Sequence, residues 1–144
     1  MSKYYTPKIE EFHVGFRYEL LTDPYIYQTW DKLICYKDKV VPSLFLTEDD
    51  SCRVKYLDQA DIEELGWEYS GKTTEHWFTM VKTIQPFNLT YRSFRLSYNF
   101  DDHRLAIWGF EYATPGNTAD EETLFLGNVI NYNELKTVMK MLGI

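Results

Sequence analysis

The chain has 144 residues, of which 44% are apolar, 26% charged and only 12 Gly or Pro. That composition excludes disordered, collagen-like and low-complexity classes and suits a domain burying about 70% of its unfolded surface. Net charge is -7, so the overall field repels DNA, RNA and anionic membranes. The longest apolar run is four residues, far short of the roughly 20 that cross a bilayer. The outlier is aromatic content, with 12 Tyr, 9 Phe and 4 Trp.

The opening MSKYYTPKIEEF lacks the apolar stretch of a secretory signal. A cytoplasmic location is therefore expected, with Cys35 and Cys52 as reduced, half-buried thiols and no disulfide scaffold. From Glu11 to Leu20, Phe12, Val14, Phe16, Tyr18 and Leu20 alternate with polar residues or glycine, which predicts a half-buried strand. Asp23-Pro24 turns the chain. Tyr25 to Tyr36 is rich in β-formers, and Lys37-Asp38-Lys39 reads as a turn tip. Thr47 to Ser51 is an acidic loop, followed by a short strand from Cys52 to Leu57.

A helix start comes next. Asp58 stands at the cap, Asp61 at the third position, and Leu57 and Ile62 at the spacing of a hydrophobic staple. Gly66 supplies the left-handed stop. Trp67 to Gly71 and Glu75 to Ile84 form a hairpin pair around Gly71-Lys72. Phe87, Leu89 and Tyr91 take odd positions, whereas Phe94, Leu96, Tyr98 and Phe100 take even ones. A β-bulge or break near Arg92-Ser93 is therefore expected. After a turn at Asp101-Asp102, His103 to Tyr112 is apolar on both faces, as for a central strand covered on both sides. Ala119 to Glu122 is a second acidic loop, and Thr123 to Ile130 the last strand. Asn131 caps a closing helix with Glu134 as reciprocal partner. Leu135, Val138, Met139 and Leu142 share one of its faces, and Gly143 ends it. The sum is a single α+β domain over residues 1–144, mainly antiparallel sheet of about seven strands, with a short central helix and a C-terminal helix packed on the sheet.

Three segments, KYYTPKIEEFHVGFRYE, RVKYLDQADIEELGW and FLGNVINYNELKTVMKMLGI, resemble a set of small proteins of Bacteroides-type genomes and of their bacteriophages and mobile elements. That set carries no assigned activity, so no residue role transfers from it. The resemblance implies a phage or prophage product acting in a bacterial cytoplasm, where such short proteins bind host components, including defence proteins and their nucleotide messengers.

The chemistry-bearing residues are scattered. His13, His76 and His103 show no metal-ligand spacing, and no nucleophile motif or Gly-rich phosphate loop is present. A non-catalytic protein without metal or cofactor is expected. Charge is unevenly spread, with -6 over residues 43–70, +3 over 71–100 and -5 over 101–125. The leading expectation is a binding protein that blocks or captures a bacterial host protein. Its contacts would be the acidic loops Glu48, Asp49, Asp50 and Asp120, Glu121, Glu122, facing a basic partner. The alternative is a sponge for a small nucleotide-type anion. It would use Arg92, Arg95 and Arg104 as forks with Trp77 and Tyr91 as flat surfaces. The plainer alternative is that these arginines pair with acids on neighbouring strands. An undetected hydrolase is the weakest reading. Trp30, Trp77 and Tyr36 lie less clearly inward, and Tyr4 and Tyr5 need a strand or a partner to cover them. A partner or self-association would use such aromatics, while core is the expected fate of any single one.

Overall fold

The computed structural model describes residues 3–23, 29–34, 52–72, 77–84, 91–112 and 120–144. The fold class is α+β, and the described residues hold nine strands rather than seven. In chain order they are β1 (Tyr4–Tyr5), β2 (Arg17–Asp23), β3 (Thr29–Ile34), β4 (Cys52–Lys55), α1 (Gln59–Glu64), β5 (Glu68–Lys72), β6 (Trp77–Ile84), β7 (Tyr91–Asn99), β8 (Arg104–Tyr112), β9 (Asp120–Asn128) and α2 (Tyr132–Leu142). They form a four-stranded antiparallel sheet, β1-β4-β2-β3, and a five-stranded antiparallel meander, β5-β6-β7-β8-β9. The chain gathers into two compact units, residues 1–56 with 131–137, and residues 57–130 with 138–144.

In the first unit, the strand expected from Glu11 starts only at Arg17. Ile9–Glu11 is a 3₁₀ turn, and Gly15 sits at φ +84 within a tight turn closed by Phe16 N–H donating to His13 O. A left-handed residue cannot continue a strand, so the alternation before it has no pleat to serve. Val14 is accordingly exposed. Phe16 and Val54 are buried, with Tyr5, Phe12 and Tyr18 packed against them. The ring of Phe12 meets Phe16 at 4.9 Å and Tyr18 edge-on at 5.3 Å.

Tyr4 and Tyr5 pair with β4 and are half-buried, so a strand covers them in part. Arg53 of β4 lies over both the Tyr4 and Trp30 rings, at 3.7 and 3.9 Å, and its Nε donates to Glu19 at 2.7 Å. Tyr5 donates its hydroxyl to Glu11 and accepts from Asn131 Nδ2, both at 2.7 Å. Burial and the Glu11 carboxylate hold that phenol well above the ordinary tyrosine range. Asn133 acts as a side-chain imitation of a strand partner. Its Oδ1 accepts from Arg17 N–H at 2.7 Å and its Nδ2 donates to Arg17 O at 3.2 Å.

Cys52 is free and fully buried rather than half-buried; Cys35 lies outside the described residues. Burial pushes its thiol up to about 11 from 9.0. The folded state therefore holds the proton where the unfolded chain releases it. This contribution is complete below about pH 9 and is lost as pH rises towards 11. Two pH units correspond to about 3 kcal/mol. Cys52→Ala is expected to flatten the fall in stability across this window in denaturant titrations. An unchanged fall would remove the thiol as its cause.

Both helix starts follow the sequence. The Asp58 carboxylate accepts from Asp61 N–H, the Asp61 carboxylate accepts from Asp58 N–H, and Leu57 and Ile62 are buried. Gly66, at φ +87, ends α1. Asn131 Oδ1 accepts from Glu134 N–H at 3.0 Å, and α2 ends with Gly143 and Ile144 donating to Lys140 O and Met139 O. In the second unit Trp67 is buried, and its indole N–H points at Met139 Sδ, 3.3 Å away. The Tyr98 hydroxyl donates to Val129 O at 2.9 Å, which leaves His103 Nδ1, 3.1 Å away, as the donor to that oxygen.

Strand β7 is regular, with eight consecutive pairs to β6 and eight to β8, so the bulge expected at Arg92-Ser93 does not occur. Phe87 and Leu89 lie outside the described residues. The extra residues sit elsewhere, at Thr22 in β2, Ser70 in β5 and Leu124 in β9. Leu124 packs where Gly109 lacks a side chain: a Cβ there would stand 3.1 Å from Leu124 Cδ1. The second acidic loop is instead the start of β9, the outermost described strand of the meander beyond β8.

Candidate binding face of the five-stranded sheet

Alternation along β7 divides the meander into two unlike faces. Phe94, Leu96 and Tyr98 are buried on one side; Arg95 is exposed on the other, with Ser97 and Asn99 half-buried. Register carries the division to the neighbouring strands. Leu105 and Ile107 oppose Tyr98 and Leu96 on the buried side, whereas Trp108 opposes Arg95 and Phe110 opposes Ser93 on the open side. Thr79 of β6 opposes Ser97, and Glu121 of β9 opposes Phe110. Trp108 and Phe110 are only half-buried, so the second apolar face of β8 is not fully covered. Leu126, on the same side, is 69% exposed.

On this open side Ser70, Gly71, Thr79, Arg95, Ser97, Trp108 and Glu121 line a groove of about 470 Å³. That volume is in the range of small-molecule clefts, about 300–1,000 Å³. The Arg95 guanidinium lies 5.0 Å from the Phe110 ring centroid, within cation–π range. Among the described residues no carboxylate reaches ion-pair distance of it, although Glu121 lines the same groove. Thr79 Oγ1 and Ser97 Oγ lie 3.5 Å apart on adjacent strands. Among the described residues the groove therefore presents one guanidinium without an ion-pair partner, one carboxylate, three hydroxyls and an indole. Such a set recognises by hydrogen bonding and stacking.

The three arginines of the expected anion pocket do not converge. Arg92 and Arg95 stand three residues apart on a regular strand and so point to opposite faces. Arg92 Nε lies 3.3 Å from Glu111 Oε1, and its guanidinium lies over Phe94. Arg104 pairs with Asp102 at 3.4 Å, four residues and about 13 Å along β8 from Trp108. Only Arg95 faces the groove. The side chains of Trp77 and Tyr91 lie outside the described part of the structure, as do Glu48, Asp49 and Asp50 altogether. Asp120, Glu121 and Glu122 are exposed on β9. Charge on an outer strand also blunts edge-to-edge pairing, which is the plainer role for these three.

The sequence reading missed Trp108, Ser97, Thr79 and Ser70 as groove residues. A signal for them was present. The polar side of β7, Ser93, Arg95, Ser97 and Asn99, has to lie beside the apolar Trp108 and Phe110 of the next strand once the two are paired. Among the described residues no three His, Cys, Asp or Glu side chains gather as metal ligands, and no helix is long and apolar enough to cross a membrane. Comparison with protein families, with curated proteins and with solved structures finds no match to this chain.

Proposed function

We propose that the chain is a non-catalytic binding protein that captures a bacterial host protein through the open face and acidic outer strand of its five-stranded sheet. The observation that carries this reading is the asymmetry of the sheet. One face is buried, and the other offers Trp108, Phe110, Arg95 and Leu126 to solvent beside Glu121, with Asp120 and Glu122 exposed on the same outer strand but alternating to its other side. Trp and Arg are the residue types that concentrate binding energy at interfaces, and the acidic strand supplies complementarity to a basic partner. The resemblance of three segments to phage and mobile-element proteins suggests the bacterial setting and an anti-defence role.

The test is a hydrogen-exchange comparison of the chain alone and in complex with the protein it retains from a bacterial lysate, after native mass spectrometry has fixed the stoichiometry. Slowed exchange on β8 and β9 is the expected result. Slowing confined to the four-stranded sheet, or retention of a second copy of the chain alone, would overturn the reading.

A second reading has its own observation. The groove holds Arg95 with no ion-pair partner among the described residues, which suits a small anionic ligand.

A further inference from the structure

We infer that the groove takes a small, hydroxyl-rich ligand with a single negative charge, of which a sugar carboxylate is the simplest chemical class. The inference rests on the small-ligand reading above and narrows it. One guanidinium, held over Phe110, offers a planar fork that matches one carboxylate. Glu121 in the same groove opposes a second negative charge, so polyphosphates are rejected. The arginines that would be needed for them stand elsewhere, Arg92 on the far face with Glu111 and Arg104 at the hairpin turn with Asp102.

Glu121 accepts hydrogen bonds and cannot donate them while ionised, so the ligand has to bring donors. Sugar hydroxyls do. The hydroxyls of Ser70, Thr79 and Ser97 both donate and accept, and therefore suit groups of the same kind. Trp108 offers a flat ring against which the C–H face of a pyranose packs. No covalent step is involved.

The experiment is an NMR titration of the full chain with sodium glucuronate, following the Trp108 indole N–H, with glucose and uridine monophosphate as comparators. Saturable shifts with glucuronate are expected, at an affinity at least about tenfold above that for glucose. Arg95→Ala should lose about tenfold or more, whereas Arg104→Ala should bind as the wild type does. Absence of glucuronate binding, equal affinity for glucose, or an Arg95→Ala variant that binds normally would overturn the inference. Binding of uridine monophosphate in preference to glucuronate would sink the sugar class and leave the small-ligand reading standing. Binding of none of the three would remove both.

Discussion

Trp67→Ala is expected to destabilise the chain by about 3–5 kcal/mol, the range for removing a buried aromatic side chain. Trp67 is 2% exposed and among the largest fully packed side chains. Its position is set locally, immediately after the left-handed Gly66 that ends α1 and immediately before β5. Truncation would leave a cavity and strip Met139 Sδ of its N–H donor. Whole domains are stable by only about 5–15 kcal/mol, so this single change consumes a large share. The melting temperature should fall by about 10–15 °C, since at this length 1 kcal/mol moves it about 3 °C. The comparison that isolates the cause is Met139→Leu, which keeps volume and removes the acceptor. It should cost less than about 1.5 kcal/mol. Urea titrations followed by circular dichroism measure both. A Trp67→Ala loss below about 1 kcal/mol would contradict the packing described for the second unit.

What the sequence disclosed depended on how local the determining signal is. The α1 and α2 starts were legible because the grammar of a cap involves residues within four positions. Asp58 and Asp61 make both hydrogen bonds of the expected capping box, and Asn131 accepts from Glu134 N–H as a cap does. The stops at Gly66 and Gly143 were equally local. Strand limits were less so. Nothing within Phe12 to Leu20 announces that Gly15 adopts a left-handed conformation, and β1 is too short to leave a period. Bulges are a property of two strands, since an extra residue is extra only against its partner. The register change was therefore expected at Arg92-Ser93 and occurs at Ser70 and Leu124. A bulge between Arg92 and Ser93 would have brought Arg92 and Arg95 to one face; the regular β7 separates them. The apolar residues on both sides of β8 predict two covered faces, Trp108 included. The face on which it stands is polar on the neighbouring strand, and that juxtaposition needs pairing to be seen.

Asn133 marks a different limit. It contacts the backbone of Arg17 across 116 positions of sequence, so nothing near it in the chain discloses its role. An asparagine in the first turn of a helix reads as helix surface. Only the fold makes it a clamp on β2.

The second large expected effect lies on the open face of the meander. If the chain captures a host protein as proposed, Trp108→Ala and Arg95→Glu should each weaken that capture by about 30-fold or more, the size of an interface hot spot of about 2 kcal/mol. Leu126→Asp places a charge on the same exposed face and should act likewise. Reversing Asp120, Glu121 and Glu122 to lysine should slow association and weaken its dependence on salt, because these charges steer more than they hold. Met141→Asp, an exposed change on α2, serves as the control for surface charge. Circular dichroism melts establish that each variant remains folded before its binding is read.

The measurement that decides the account is the equilibrium titration of the retained host protein against wild type, Trp108→Ala, Arg95→Glu and Met141→Asp under one salt condition. Selective loss in the two sheet-face variants, with Met141→Asp unaffected, is the result the open face requires. Undiminished binding by folded Trp108→Ala and Arg95→Glu would contradict it.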